Sequence, residues 1–186
     1  MTGTRGYHHG DLRRTLLAAA VKVVEEAGPA ALSLRDLARR AGVSHAAPAH
    51  HFGDKAGLLT ALATQGFDLL ADTLEATGDD LLAAGVAYVD FAVRHRAHFE
   101  VMFRPDLHRA DDAELAAARG RAGAALRAGV ATLPPAGVPA DTDRDALAAW
   151  SIAHGFATLW LAGALPARVG DDPQEAARAV LRRLFE

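Results

Sequence analysis

Apolar residues recur along the chain at intervals of three and four, the spacing that places them on one face of a helix. Nowhere do apolar and polar residues alternate as they would in a half-buried strand. Breaks fall at Gly28-Pro29, at Gly78 and at Pro134-Pro135. The pattern predicts an all-α protein of about nine helices. Their approximate ranges are 10–27, 33–41, 45–51, 55–77, 79–96, 97–103, 111–132, 144–164 and 174–185.

One stretch near the N-terminus has the spacing of two short helices joined by a tight turn. Ser33 can cap the first helix, and Asp36 three residues later completes a capping box. Gly42 follows the last turn, where a left-handed backbone is favoured. Ser44 then caps a second helix over about 45–51. This arrangement is typical of a helix-turn-helix, whose second helix lies in the major groove of DNA.

The net charge of -3 is unevenly distributed along the chain. Residues 1–55 carry eight Lys or Arg and five Asp or Glu, whereas residues 56–186 carry twelve and eighteen. A basic N-terminal part on an acidic remainder fits a DNA-binding module attached to a second domain. The chain has no cysteine, which excludes disulfides, and its N-terminus lacks the apolar segment of a signal peptide. We therefore expect a cytoplasmic protein.

The N-terminal stretch also carries a family resemblance. The residues concerned are Leu32-Ser-Leu-Arg-Asp-Leu-Ala-Arg-Arg-Ala-Gly-Val-Ser44, His51-Phe52, Asp54-Lys55 and Leu58-Leu59. Together they resemble the N-terminal domain of the TetR family of bacterial transcriptional repressors, over about residues 8–62. The resemblance implies a helix-turn-helix domain at 1–55, a connecting helix at 56–77 and a ligand-binding and dimerisation domain at 78–186. It also implies a DNA-binding transcriptional regulator, a homodimeric, ligand-responsive repressor of a palindromic operator, and no enzymatic activity.

Carried over position by position, the resemblance implies which residues contact double-stranded DNA. Groups at the helix N-termini would meet phosphates, and the outer face of the second helix would meet base edges. The lysine at the start of the connecting helix would bind a phosphate. These residues are Ser33, Ser44, His45, Ala46, Ala47, His50, His51 and Lys55. Arg5, His8 and His9 precede the first helix and are placed to reach the DNA backbone or a minor groove.

Two residues depart from the family pattern. Family members usually have tyrosine at the position of Ala49, where it lies along the DNA backbone. Pro48 falls at the fourth position of the predicted second helix, where it costs one hydrogen bond and crowds the preceding turn. We therefore expect modest affinity for each half-site. An alternative is a small-molecule- or partner-binding helical protein with a weakened DNA-binding head.

Trp150, His154 and Gly155 resemble the C-terminal domain of one TetR subgroup, which has a Trp…His-Gly (WHG-type) motif. The helix that carries them, 144–164, is apolar on all sides, so we expect it to be buried on all sides. It is long enough to span a membrane, but its Ser, Thr and His residues and its charged start favour a core helix. The hypothesis is that 144–164 and 174–185 pair with their symmetry mates as a four-helix dimer interface.

The middle and late helices supply a candidate site for a small molecule. We expect an apolar pocket with His154, Tyr88 or His95 as its polar groups. The predicted wall is Tyr88, Phe91, His95, Phe99, Met102, Phe103, Leu126, Trp150 and His154. No cofactor is implied. No metal site is expected, because the spacing of the histidines fixes no ligand set, and no phosphate loop, nucleophile elbow or paired carboxylates suggest an enzyme.

Overall fold

The computed structural model describes the backbone of residues 8–132 and 141–184, and the side chains of residues 12–132 and 141–183. Within these ranges the chain forms nine α-helices, with short 3-10 segments and no strand. The all-α prediction is confirmed. The helices are α1 (His8–Ala27), α2 (Leu34–Ala41), α3 (Ala47–Phe52), α4 (Lys55–Glu75), α5 (Leu81–Arg94), α6 (Arg96–Met102), α7 (Ala113–Val130), α8 (Thr142–Leu161) and α9 (Pro173–Leu181).

The chain packs as two compact units. The first, here the head unit, comprises Met1–Gly66 and Ala97–Ala116, and the second, the body unit, comprises Phe67–Arg96 and Ala117–Glu186. The boundary after residue 66 falls inside α4, and the boundary after residue 116 falls inside α7. The division predicted from the sequence is by role, after residues 55 and 77, rather than by packing. That division stays a prediction.

The core of the head unit lies among α1, α2 and the first half of α4. Its side chains are Leu16, Ala20, Val24, Leu37, Ala38, Leu58, Leu59 and Leu62, none of them more than 2% exposed. They recur at helical spacing, which is why the apolar pattern located these helices in the sequence.

Helix α6 packs directly on the backbone of α4 inside the head unit. A Cβ atom at Gly66 would lie 2.6 Å from the sulfur of Met102, so this close approach requires glycine. Beside it, Nε2 of His98 lies 3.1 Å from Oε1 of Gln65. Helix α6, which follows α5, is thereby attached to α4, the helix that follows α3.

Helix α5 is central to the body unit, where it packs against α8 and α9. It buries Leu81, Ala84, Val86, Tyr88, Val89, Phe91 and Ala92. A Cβ atom at Gly85 would lie 2.8 Å from Cδ1 of Leu181, so glycine here admits α9 closely. Residue spacing predicted these apolar faces but not which helix covers each of them.

Arg121 of α7 binds the second half of α4 inside the body unit. Its guanidinium forms ion pairs with Asp68 at 3.7 Å, with Asp72, and with Glu75 at 2.8 Å. The hydrogen bonds that Arg121 donates lower the pKa of Glu75, and donating to Glu75 and Asp72 raises the pKa of Arg121. One cation thus compensates an acidic face of α4.

Aspartates cap three helices of the body unit. Asp80 accepts from the backbone N–H of residue 83, Asp141 from that of residue 144, and Asp172 from those of residues 174 and 175. Helix α8 begins at Thr142 with Asp141 as its cap, two residues before its predicted start at 144, and ends at Leu161, three residues before its predicted end. The last helix ends at Leu181 and continues as a 3-10 turn over Arg182–Leu184, and its predicted end at 185 lies outside the described residues.

Helix α8 is buried on one side only in the single chain. Ala146, Ala153, Phe156 and Ala157 are buried. Leu147, Ile152 and Leu159 are 57%, 36% and 47% exposed. The expectation of burial on all sides is therefore wrong for the isolated chain. Among the described helices, none is long and apolar enough to cross a membrane.

Candidate nucleic-acid interface

The corner between α2 and α3 has the geometry of a helix-turn-helix. Gly42 ends α2 in the left-handed region, with φ 67 and ψ 31. The backbone N–H of Val43 donates to the carbonyl of Ala38 at 3.0 Å, which closes the last turn. The role predicted for Gly42 is confirmed.

The start of α2 corrects the predicted capping box. Ser33 is the N-cap residue but its side chain makes no capping hydrogen bond. Asp36 instead accepts from Arg39 at 2.6 Å and from Arg40 at 2.9 Å. Hydrogen bonds from Arg39 and then Arg40 lower the pKa of Asp36. Asp is one methylene shorter than the Glu of a capping box, and two guanidinium groups compete for its carboxylate.

The start of α3 also differs from the prediction. Residues 44–46 form a turn, in which the N–H of Ala47 donates to the carbonyl of Ser44 at 3.0 Å. Helix α3 begins at Ala47, two residues later than predicted, and it has no side-chain cap. Pro48 is thus the second helical residue, where its missing N–H needs no acceptor. The cost expected from proline at the fourth position does not arise.

The end of α3 is held by contacts that the sequence did not signal. Phe52 is buried, and the guanidinium carbon of Arg13 lies 5.5 Å from the centre of its ring. A Cβ atom at Gly57 would overlap the carbonyl oxygen of Phe52, so α4 meets the backbone of α3 at a glycine. Gly53 joins the two helices with φ 77, a conformation that other residues rarely adopt.

The junction between α3 and α4 is capped and charged. Oδ1 of Asp54 accepts the N–H of Gly57 at 2.8 Å and a guanidinium N–H of Arg109 at 3.0 Å. The bond from Gly57, followed by that from Arg109, lowers the pKa of Asp54. Asp54 thus caps α4, and its second partner, Arg109, comes from a loop remote in the sequence, so sequence reasoning missed that contact.

The predicted DNA-contacting residues lie together on α2, the turn and α3. Ser33, Ser44, His45, Ala46 and His50 are exposed, and Ala47, His51 and Lys55 are half-buried. The ammonium of Lys55 donates to the carbonyl of Ala30 at 2.7 Å, so it also ties α4 to the turn before α2. Arg5, His8 and His9 lie outside the residues whose side chains the structure describes.

One basic residue of this surface was not singled out from the sequence. Arg35 is exposed in the first turn of α2 and makes no hydrogen bond or ion pair within the described part of the chain. Arg40 is engaged, because it also binds Glu26 at 2.8 Å. The signal that could have identified Arg35 is its position on the polar face of α2, the first helix of the corner, close to Ser33.

The body unit holds a hydrogen-bonded aromatic cluster. The indole N–H of Trp150 donates to the hydroxyl of Tyr88 at 3.2 Å, and that hydroxyl lies 2.8 Å from Nδ1 of His154. Because indole only donates, the tyrosine proton is directed to Nδ1, which places the imidazole proton on Nε2. Burial lowers the pKa of His154 and raises that of Tyr88, which favours the neutral form of each side chain.

The other predicted ligand-binding residues are divided between the two units. Phe91, His95 and Leu126 belong to the body unit, and the rings of Phe91 and His95 are 5.0 Å apart. Phe99, Met102 and Phe103 belong to the head unit. Within the described residues, no group of three or more His, Cys, Asp or Glu could hold a metal ion.

Two family profiles match the chain. One, described as bacterial regulatory proteins of the tetR family, matches residues 16–62. The other, described as the tetracyclin repressor-like C-terminal domain, matches residues 81–184, which is more than half of the chain. The chain belongs to the tetR family. As a member of that family it is a DNA-binding transcriptional regulator and not an enzyme.

Individual proteins are also similar to the chain. The HTH-type transcriptional regulator BetI of Rhizobium meliloti (strain 1021) is 35% identical over 94 residues, which is 50% of this chain and 43% of BetI. The match thus spans less than half of that regulator. A solved protein of unknown function from Rhodococcus sp. RHA1 is 36% identical, with 98% of this chain and 97% of the other covered and a TM-score of 0.80.

A further solved structure shares the tetR-family fold at lower identity. AibR, solved in complex with isovaleryl coenzyme A and operator DNA, is 18% identical to this chain. The comparison covers 94% of this chain and 98% of AibR, with a TM-score of 0.66. At this identity the likeness shows the fold alone.

Proposed function

We propose that this regulator is a ligand-responsive homodimeric repressor that places α3 in the major groove of a palindromic operator. The observation that carries the proposal is the corner at Gly42 followed by an exposed outer surface of the turn and α3, where His45, Ala46 and His50 are accessible. Small exposed side chains suit contact with thymine methyl groups, and histidine supplies donors to base edges. Arg35, exposed beside Ser33, adds a cation for a phosphate.

We assign the roles of the three segments as predicted from the sequence. Residues 1–55 bind DNA, 78–186 bind a ligand and a second copy, and the connecting helix 56–77 transmits the signal. Helix α4 has residues in both compact units, which supports that last role. A ligand would act by favouring a dimer whose two α3 helices no longer match the half-site spacing, and a coupling of about 1–3 kcal/mol is typical.

Dimerisation through α8 and α9 is supported by the distribution of exposed apolar side chains. Within the described residues, the large hydrophobic side chains that remain exposed are Leu147, Ile152 and Leu159 on α8 and Val180 on α9. Ile152 and Leu159 are seven residues apart and so share one face of α8, and exposed apolar side chains on one face favour association with a matching surface. Sedimentation at micromolar concentration should give a dimer, and a monomer would contradict the proposal.

A small-molecule site in the body unit is supported by the cluster of Tyr88, Trp150 and His154. Trp150 and His154 belong to the Trp…His-Gly motif of the proposed subgroup, and with Tyr88 they supply hydrogen-bonding groups among aromatic rings. AibR is described with a ligand and operator DNA together, and we extend that combination to this chain as part of the proposal. Thermal unfolding across a library of small apolar compounds should reveal at least one that stabilises the protein.

DNA recognition is tested by selecting bound duplexes from random DNA. The expected result is a pseudo-palindrome with half-sites about 34–36 Å apart. His50→Ala should then change the preferred sequence, whereas Lys55→Ala should weaken binding to all sequences alike. Equal losses on specific and random DNA for both variants would contradict the assignment of α3 as the recognition helix.

A further inference from the structure

Arg109, in the loop between α6 and α7, attaches that loop to α4 within the head unit. Its backbone N–H donates to the hydroxyl oxygen of Thr60 at 2.9 Å. Thr60 is 3% exposed and donates in turn to the carbonyl of Ala56 at 2.8 Å. Because this buried hydroxyl both accepts from Arg109 and donates to Ala56, the backbone of Arg109 is held against the second turn of α4.

The side chain of Arg109 then reaches the junction between α3 and α4. Its Nη2 donates to Oδ1 of Asp54 at 3.0 Å, the oxygen that also caps α4 through Gly57. A Cβ atom at Gly53 or at Gly57 would lie 3.3 or 3.2 Å from Nη2. The guanidinium therefore packs on the bare backbone of the two glycines that flank the junction.

The orientation of α3 depends on the junction between α3 and α4. Helix α3 has six residues and no side-chain cap at its start. A helix this short has little stability of its own, so its orientation depends on the contacts at its ends. Arg109 supplies one of those contacts from 55 positions away in the sequence.

Charge gives Arg109 a second effect at this place. Asp54 is 64% exposed on its side chain and precedes Lys55 at the start of α4. A bare carboxylate beside a DNA-binding helix would be repelled by phosphates. The guanidinium of Arg109, 46% exposed, compensates that charge.

We propose that Arg109 is a positioning residue for DNA recognition: it holds Asp54 and the junction between α3 and α4, and thereby sets the affinity of α3 for its specific sequence without contacting DNA. The inference rests on the proposed placement of α3 in the major groove. It assigns a recognition role to a loop that is remote in sequence from the helix-turn-helix.

The test uses the full chain and a duplex selected from random DNA. Arg109→Ala should lower the affinity for that duplex by about five- to tenfold, and that for random DNA by much less, through the uncompensated Asp54 carboxylate alone. The slope of log K against log salt should stay that of the wild type, since no phosphate contact is lost. Arg104→Ala is the matched control, because Arg104 lies in the same loop and pairs only locally, with Asp106 at 2.9 Å.

A double-mutant cycle with Asp54→Asn isolates the proposed contact. Asparagine retains the cap of α4 but cannot form the ion pair, so this variant should lose the positioning contact and show a loss no larger than that of Arg109→Ala, which also leaves the Asp54 carboxylate uncompensated. The double variant should lose no more than either single one. If Arg109→Ala does not fold, Asp54→Asn alone carries the test. Amides of α3 should exchange faster with solvent in Arg109→Ala and not in Arg104→Ala.

The outcomes separate this inference from the proposed function. Unchanged affinity in Arg109→Ala, additive losses in the double variant, or a salt slope reduced by about one with equal losses on random DNA would each overturn the positioning role. In the last case Arg109 binds a phosphate directly. Failure to select any duplex would instead overturn the proposed function, and the inference with it.

Discussion

Among single residues, Gly57 is a position in the helix-turn-helix region where an added side chain should do the most damage. A Cβ atom there would overlap the backbone oxygen of Phe52, the last residue of α3. Backbone atoms cannot rotate away as the end of a side chain can, so α3 or α4 must shift. Gly57→Ala should therefore lower the free energy of unfolding by about 1–3 kcal/mol and reduce specific DNA binding.

Gly120 provides the control for that prediction. It lies inside α7, is exposed, and a Cβ atom there would meet nothing within 4 Å. Gly120→Ala should raise the free energy of unfolding by about 0.5–1 kcal/mol through helix propensity. Urea unfolding of both variants measures the contrast, and equal effects would show that the contact with Phe52 costs nothing.

His154 makes the stability of the fold depend on pH. Burial lowers its folded-state pKa below the unfolded value of about 6.5, so the unfolded chain binds more protons. The stabilisation is complete above about pH 6.5 and is lost as pH falls toward the lowered pKa. Between pH 7 and 5, the unfolding temperature of the wild type should fall more steeply than that of His154→Asn. Parallel curves of unfolding temperature against pH for these two proteins would contradict this. Tyr88→Phe is the control and should keep the steeper fall, because it leaves the imidazole buried.

At the scale of elements, Pro48 tests where α3 begins. Inside a helix, proline costs about 3 kcal/mol, and its removal would stabilise the protein. At the second helical position that cost is absent, and Pro48 is a buried side chain that fixes the backbone. Pro48→Ala should therefore destabilise the protein by about 0.5–1.5 kcal/mol. Pro105→Ala, at an exposed proline that starts a 3-10 turn, should cost less in the same urea titration.

The elements also show what the sequence could predict. The helices and the corner at Gly42 follow from local spacing, because each depends on residues within one or two turns. The start of α3 was misplaced because two local signals disagree. Ser44 indicates a cap for a helix that begins at residue 45, whereas Pro48 favours a helix that begins at residue 47, and the structure has the latter. The capping box failed because Asp36 has two arginine partners on its own helix.

Contacts between distant residues account for the rest of the candidate site. Tyr88 and His154 are 66 positions apart, and Arg109 is 55 positions from Asp54. Residue types suggested that Tyr88, Trp150 and His154 share a site, but no spacing specifies a hydrogen bond between helices that packing brings together. Gly57 carried no signal for a similar reason, since its partner is a backbone atom.

Over the molecule as a whole, the basic residues, the acidic residues and the exposed apolar side chains are concentrated in different parts of the chain. Residues 1–55 have an excess of basic side chains, whereas residues 56–186 have an excess of acidic ones. The exposed large apolar side chains of the described residues lie on α8 and α9 instead. An excess of acidic residues does not attract DNA, so apart from positioning contacts such as that of Arg109 we expect the second domain to strengthen DNA binding by bringing two DNA-binding domains together.

Leu159→Glu tests that coupling between association and DNA binding. Leu159 is 47% exposed on α8, so a charge there should be tolerated in the single chain but opposed in an apolar interface. The variant should sediment as a monomer and bind the selected duplex with about half the wild-type salt slope, because one α3 helix and its phosphate contacts remain. Ala117→Glu, at an exposed position on α7, should stay dimeric and keep the full slope. A dimeric Leu159→Glu with wild-type affinity would place the interface elsewhere.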